Sequence, residues 1–437
     1  MRIAILADDL TGACDAAAPF ARRGLATRVL LSPRPVPLRS ADGDDVVALD
    51  ADTRRLSRRL AITRTTVAAR ALYTPEATHL FKKVDSTLRG HVGPELLACM
   101  RAWGAPLALL CPAYPAMGRW VQDGALFVDR RGMLGDVATL AGLPADRRTA
   151  WISLDELRSG AEAIERALAE RSAAGARVVV ADADTPGHLT ALVAAAMRSA
   201  RPILLAGSAG LGTALAEWAA ARRREGTAET ANGLSNADTS AASIADADPD
   251  DRPWLVVAGS QTDVTDHQIV ELTRAGAEAI ELDIDDLLGR RSQAVAAGQR
   301  AAALLRAGVT PVLRLLIAPD PSGTRSRGPR LDERAARAMA LACQTAIELA
   351  TPAGLFLTGG MTARACLLAL GTSGLRLERE PLPGIAAGAA VGGAWDKRPV
   401  ITKAGGFGAP DAMRRLVRPR SPRRTAFPTA RSAPPLA

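Results

Sequence analysis

The 437-residue sequence predicts an α/β protein of two lobes, each a mainly parallel sheet flanked by helices, with the functional site in the cleft between them. Three observations carry that expectation. Short uninterrupted apolar runs, the pattern of strands buried on both faces, alternate with helical stretches along most of the chain. The alternation breaks once, at a small, polar, acidic segment from Gly226 to Asp251 with little to bury. Polar motifs and glycine turns follow the apolar runs directly, at strand ends, where open α/β sheets bind ligands.

The elements read in order as follows. Ile3 to Ala7 is a short buried strand, and Thr11 to Arg23 a helix closed by Gly24. Thr27 to Leu31 and Val46 to Leu49 are strands, followed by a helical stretch at Ser57 to Leu72. His79 to Val84, Pro106 to Cys111, Arg177 to Ala181 and Pro202 to Ala206 continue the strand series. Beyond the polar segment it resumes at Trp254 to Ala258, Ala279 to Leu282, Pro311 to Ile317, Leu355 to Leu357 and Pro399 to Thr402. The expected organisation is an N-terminal domain over 1–223, a flexible linker over 224–252, a C-terminal domain over 253–416 and a basic tail over 417–437.

Composition narrows the class. An apolar content of 48% is ordinary for globular domains. The start, MRIAILADDLTG, has acids where a secretory signal would continue its apolar run, and no stretch approaches the ~20 apolar residues of a membrane span. Five scattered cysteines without CxxC spacing suit buried thiols in a reducing cytoplasm. The formal charge of +9 suggests a polyanion partner, but seven arginines and no acid follow Ala412, so the charge sits mostly in the tail. With only 3% aromatic residues there is little to stack on single-stranded nucleic acid. Lysine occurs only at Lys82, Lys83, Lys397 and Lys403, so arginine supplies all but four of the 55 basic residues. Three of those four lysines lie inside the densest motifs.

The first motif, Ala7-Asp8-Asp9-Leu10-Thr11-Gly12-Ala13-Cys14-Asp15, follows the first strand. Its paired acids suit a metal, a hydroxyl proton or polyol hydroxyls, although Asp9 or Thr11 also suits a helix cap. The second, Lys82-Lys83-Val84-Asp85-Ser86-Thr87-Leu88-Arg89-Gly90, joins an acid, two hydroxyls and a guanidinium at another strand end. Its adjacent lysines, in a chain that otherwise uses arginine, indicate a need for a compact ammonium. A third group is glycine-rich: Gly259-Ser260, Gly359-Gly360-Met361-Thr362 and Lys403-Ala404-Gly405-Gly406-Phe407-Gly408. Such turns expose backbone N–H groups able to cradle phosphate. The loop Gly207 to Gly212 reads as a tight turn, and His79, His91, His188 and His267 are unclustered, with no zinc spacing. There is no P-loop, protein-kinase set, GxSxG elbow or HExxH. The absence of GxGxxG counts against a nicotinamide-dependent oxidoreductase.

In order, ADDLTGACD, KKVDSTLRG, CPAYPAMGRWVQDG, AGS, TGGMTA and KAGGFG resemble the four-carbon acid sugar kinase family, from about Met1 to Leu416. The resemblance implies ATP-dependent phosphorylation of a four-carbon sugar acid, with the sugar in the N-terminal lobe and the nucleotide in the C-terminal lobe. Carried over, Asp8, Asp9, Asp85, Ser86 and Arg89 line the acid site, with Thr11, Asp15, Lys83 and Thr87 beside them. Ser260, Gly359, Gly360, Met361, Thr362, Lys403, Gly405 and Gly406 contact ATP. One of Asp8, Asp9 or Asp85 accepts the hydroxyl proton, Arg89 holds the substrate carboxylate, and Mg²⁺ bridges the phosphates; no residue is assigned as its ligand. Met361 stands where the family usually carries an acid, and His91 where it carries Asn. The KVDSTLR form is closer to the threonate and erythronate branches than to 3-oxo-tetronate kinases. The expected partners are a small sugar acid and ATP, not nucleic acid or membrane, and a homodimer is open to it.

Overall fold

The computed structural model describes residues 2–31, 43–75, 77–129, 131–146, 148–230, 252–285, 291–317 and 329–418. Most of the stretch expected as a linker, and the basic tail beyond Arg418, lie outside them; the helix ahead of the linker runs Ala209–Thr230.

The N-terminal lobe supplies β1 (Arg2–Ala7), β2 (Thr27–Leu30), β3 (Val46–Asp50), β4 (Ala77–Lys83), β5 (Leu107–Cys111), β6 (Arg119–Gln122), β7 (Ala125–Val128), β8 (Gly132–Asp136), β9 (Thr149–Ile152), β10 (Val178–Ala181) and β11 (Ile203–Gly207). The C-terminal lobe supplies β12 (Leu255–Ala258), β13 (Glu278–Asp283), β14 (Pro311–Leu316), β15 (Leu355–Thr358), β16 (Gly374–Leu382), β17 (Ile385–Val391) and β18 (Pro399–Lys403). The strands read from apolar runs fall where expected, because a run such as Val46–Asp50 is buried along its whole length between helical layers.

The order in the main sheet is β13-β14-β12-β15-β18-β17-β16-β2-β3-β1-β4-β11-β5-β10-β9. Within each lobe the pairing is parallel except for β16 and β17. The two-lobe expectation holds with one addition: the lobes share a single sheet. β16 pairs antiparallel with β2, Leu375 opposite Val29 and Leu377 opposite Thr27, so each covers what would otherwise be the other's open edge. The hairpin β16–β17, strand β9 and a separate antiparallel sheet β6-β7-β8 are elements the sequence reading did not include.

Helix α1 (Leu10–Ala21) is buried along its whole length. It packs on β1 and β3 of its own lobe and on β16, β17 and the helix Gly360–Ala369 of the other. All five cysteines are free and buried. Among the described residues no helix is long and apolar enough to cross a membrane.

In the N-terminal lobe β1 lies between β3 and β4, and in the C-terminal lobe β12 lies between β14 and β15. Chain direction across the sheet reverses at these points, and their carboxyl ends open the crevices where α/β sheets take ligands. Both crevices border α1.

Candidate active site

Three carboxylates converge at the carboxyl ends of β1 and β4, and one arginine holds them together. Arg54, just beyond β3, donates from Nε and Nη2 to the two oxygens of Asp8 at 2.7 and 2.9 Å. Its Nη1 donates to Asp9 Oδ2 at 2.5 Å, and Nη2 lies 3.8 Å from Asp85 Oδ1. Like charges this close repel unless a cation sits among them. Burial pushes Asp8 upward, but the charge and hydrogen bonds of Arg54, with Lys82 and Lys83 behind, hold it below its ordinary range. Arg54 was not among the residues read from the sequence. It belongs to no motif, and its one signal was its place just past a strand end.

Asp9 also does the work anticipated for a cap: its Oδ1 accepts from Gly12 N at 2.7 Å, opening α1, while Thr11 Oγ1 donates to Oδ2 at 3.1 Å. Asp85 turns away from the end of β4 into a tight loop. Its Oδ2 accepts from Thr87 N and Oγ1 at 3.0 and 2.5 Å. Arg89 grips it bidentately, Nε to Oδ2 at 3.0 Å and Nη2 to Oδ1 at 2.6 Å. Burial pushes Asp85 up; the Arg89 hydrogen bonds, the Arg54 charge and the Thr87 hydroxyl outweigh it and hold the carboxyl well below the usual range. Ser86 lies in the same turn.

The two adjacent lysines separate. Lys82 is fully buried against Glu95 of the helix Val92–Trp103, Nζ to Oε2 at 2.8 Å, and supports the site from beneath. Lys83 faces the opposite way, beside Gly12, and donates to Val84 O at 2.9 Å. Near it Asp15, 7% exposed, has an Oδ1 without a hydrogen-bond partner; burial pushes its carboxyl up to about 7, with Lys83 opposing. His91 is held away from the cluster by a 2.7 Å hydrogen bond between its Nε2 and Leu56 O.

The glycine turns of the C-terminal lobe assemble at the carboxyl ends of β12, β15 and β18. They pack so closely that side chains are excluded. A Cβ on Gly259 would overlap Thr362, and one on Gly405 would overlap the Ser260 hydroxyl. Gly359 has φ +94°, a conformation that favours glycine. Lys403 turns into its own loop, with Nζ donating to Gly405 O at 2.8 Å, Ala404 O at 3.1 Å, Phe407 O at 3.2 Å and Thr265 Oγ1 at 3.3 Å. Burial pushes this ammonium down to about 7. It therefore shapes the turn. Gln268 Nε2 reinforces it, donating to the carbonyls of Phe407, Gly408 and Ala409. Gly406 is open on its side-chain face, and Met361 and Thr362 begin the helix after Gly359.

The two groups meet across the cleft. A Cβ on Gly360 would lie 3.1 Å from Thr11 Oγ1 and 3.3 Å from Asp9 Oδ2. Phe407 packs against Tyr114 of the other lobe, ring centroids 6.4 Å apart. Further out Arg364, in the helix after Gly359, donates to Asp50 Oδ2 at 2.7 Å and to Leu31 O at 3.1 Å, joining the lobes by a buried ion pair. The stretch Gly207–Gly212, expected as a tight turn, is instead the end of β11, Ser208 and the first residues of the helix Ala209–Thr230, with Gly207 packed on Cys111 and Gly210 on Ala113 and Leu189.

Two family models divide the chain at these lobes: a sugar-binding N-terminal domain matches residues 3–215 and a nucleotide-binding C-terminal domain residues 255–413. D-threonate kinase of Salmonella typhimurium LT2 is 30% identical over 94% of this chain and 97% of its own length. D-threonate kinase of Cupriavidus necator H16 is 34% identical over 94% and 95%. D-erythronate kinase of Heliobacterium modesticaldum is 27% identical over 94% and 95%. Two crystal structures share the fold. One is of a protein of Salmonella typhimurium LT2 (TM-score 0.74, 22% identity, 95% of this chain and 99% of that one). The other is of a protein of Haemophilus influenzae (TM-score 0.64, 22% identity, 93% and 97%).

Proposed function

The chain belongs to the four-carbon acid sugar kinase family, and on that premise we propose that it transfers the γ-phosphoryl group of ATP to the terminal hydroxyl of a four-carbon sugar acid, D-threonate or D-erythronate. One observation carries the reading: the Gly360 turn lies against Asp9 and Thr11, so phosphate cradled by the glycine turns would meet a hydroxyl held by the acid cluster. Phosphoryl transfer asks mainly for positioning and charge neutralisation, with little covalent help.

In this reading the glycine turns at Ser260, Gly359 and Gly405 hold the triphosphate through backbone N–H groups, and Lys403 keeps the last turn in shape. Asp8 and Asp85, fixed as anions by Arg54 and Arg89, accept hydrogen bonds from substrate hydroxyls, with Ser86 and Thr87 alongside. Asp9, the carboxylate nearest the Gly360 turn, takes the proton of the attacking hydroxyl. Among the described residues no group of three or more His, Cys, Asp or Glu forms a cation cage. A magnesium ion, brought on the nucleotide phosphates as it commonly is, would supply charge neutralisation there. Approach of the two lobes around the substrates would exclude competing water. The five free, buried cysteines support a cytoplasmic setting.

A second reading, a 3-oxo-tetronate kinase, has support from relatives of that name, such as one in Cupriavidus necator H16 at 28% identity over 94% of this chain. ADP release from purified protein with ATP, Mg²⁺ and D-threonate, D-erythronate, L-threonate or a 3-oxo-tetronate separates the two. The highest kcat/KM is expected with D-threonate. Failure with all four would overturn the function, and turnover of the 3-oxo acid alone would select the second reading. Asp85→Asn is expected to abolish turnover with the fold intact; near-normal activity would remove Asp85 from the site.

A further inference from the structure

One cation at the cleft has hydrogen-bonding capacity that the protein does not use. Arg119 opens β6 directly after Gly118, whose left-handed conformation (φ 65°, ψ 36°) turns the chain. Its backbone pairs with Tyr114 in both directions, Tyr114 N to Arg119 O at 2.8 Å and Arg119 N to Tyr114 O at 3.2 Å. This pairing directs both side chains at Phe407 of the nucleotide lobe, with the guanidinium carbon 5.8 Å from the ring centroid. Nη1 donates to Met117 O at 3.3 Å, while Nε is buried without a hydrogen-bond partner. The charged and titratable groups that act on the guanidinium are Asp85, Asp15 and Tyr114, which favour it, and Arg89, which opposes it.

The other cations of the site are committed. Arg54 serves three carboxylates, Arg89 both oxygens of Asp85, Lys82 Glu95, and Lys403 the carbonyls of its loop. Lys83 keeps open donors but offers a point charge, whereas a guanidinium fork matches a planar carboxylate. Three carboxylates, Asp8, Asp9 and Asp85, line the sugar side, and an anionic substrate would be repelled there without an opposing cation.

We propose that Arg119 anchors the carboxylate of the acid sugar, and that Phe407 beneath it links this anchor to the nucleotide loop. The assignment rests on the sugar-acid kinase reading and moves the carboxylate from Arg89 to Arg119. It orients the substrate, carboxyl end toward β6 and terminal hydroxyl toward Asp9 and Gly360.

The test compares D-threonate with its neutral amide, which differs only at the carboxyl group, in the wild type, Arg119→Met and Arg119→Lys. Wild type is expected to prefer the acid. Arg119→Met is expected to raise KM for the acid about 100-fold, leaving kcat/KM for the amide and KM for ATP within about threefold. Arg119→Lys is expected to show an intermediate preference and, should the methionine variant fail to fold, decides alone; an unchanged acid preference in it overturns the anchor. Equal losses on acid and amide would mean a structural role, and a raised KM for ATP with acid preference intact would mean a phosphate contact. Either result overturns the proposal. A wild type inactive on every tetronate overturns the kinase reading, and the anchor with it.

Discussion

The two lobes place their functional groups at the same point of the scaffold, the carboxyl ends of parallel strands, and build them from opposite materials. The N-terminal site is crowded with charge: Asp8, Asp9 and Asp85 around Arg54, with Arg89 gripping Asp85 from outside. The C-terminal site is made of missing side chains, with Gly259 and Gly405 so closely packed that a methyl group would collide and Gly359 in a left-handed conformation that favours glycine. Hydroxyls need directional acceptors, and buried acceptors of like sign need a cation. A triphosphate can be held by backbone N–H groups, and any Cβ between them and the ligand is an obstacle. The lobes should therefore fail under opposite kinds of substitution, removal of atoms in one and addition in the other.

The largest effect is expected from removal at Arg54. Arg54→Met leaves three carboxylates facing each other without their shared cation. Turnover should fall about 1000-fold, as when a preorganised electrostatic group is lost. Stability should fall by about 3 kcal/mol, the scale for breaking a partly buried ion pair. Steady-state rates and thermal unfolding check both. A variant keeping a tenth of wild-type activity would show that the acid lobe does not depend on this cation.

Addition is the sharper test of the other lobe. Gly405→Ala puts a methyl where the Ser260 hydroxyl lies. KM for ATP is expected to rise about tenfold, the scale of one displaced backbone contact, while KM for the sugar acid stays within threefold. Equal changes in both would mean that the lobes do not divide the substrates between them.

This contrast also explains what was legible in the sequence. Buried parallel strands announce themselves as apolar runs, so β1, β3, β5, β12 and β15 stood out locally. The pairing of β2 with β16 joins residues more than 300 positions apart and leaves no local trace. The antiparallel β6–β7 hairpin did have a signal, Asp123-Gly124 between two β-prone runs, but that stretch entered only through its family resemblance. Motif residues such as Asp85 and Gly405 were singled out because their neighbours repeat a known pattern, and the structure places both at strand ends facing the lobe boundary. Arg54 at the carboxylate cluster and Arg119 at the lobe boundary were not singled out because one arginine among 51 is conspicuous only by what surrounds it in space. Lys403 shows the converse: its rarity singled it out, yet its ammonium bonds the carbonyls of its own loop.

The smallest expected effect separates two buried carboxylates within the acid lobe. Asp15 and Asp50 are both pushed up to about 7 by burial, but Asp50 faces Arg364 across the lobe boundary and Asp15 has no ion pair among the described residues. Each has a folded pKa above its unfolded value of 3.8, so between these values the native state holds a proton that the unfolded chain has released. The stability this contributes is present in acid and is lost as pH rises through about 7. For Asp15 the difference from 3.8 to about 7 sets an upper bound of about 4 kcal/mol, and about 1 kcal/mol is a realistic observable. Asp15→Asn should accordingly flatten the loss of stability between pH 5 and 8, and match or exceed wild type at pH 8. Asp50→Asn should be destabilised at pH 8, because its amide leaves Arg364 with only the more exposed Asp52, 3.3 Å away, as a counter-charge. Urea midpoints of the three proteins at both pH values read the signs directly. An Asp15→Asn variant with the wild-type pH slope would show that Asp15 is already ionised in the folded protein, and so available as a counter-charge to Arg119 rather than a proton reservoir beside it.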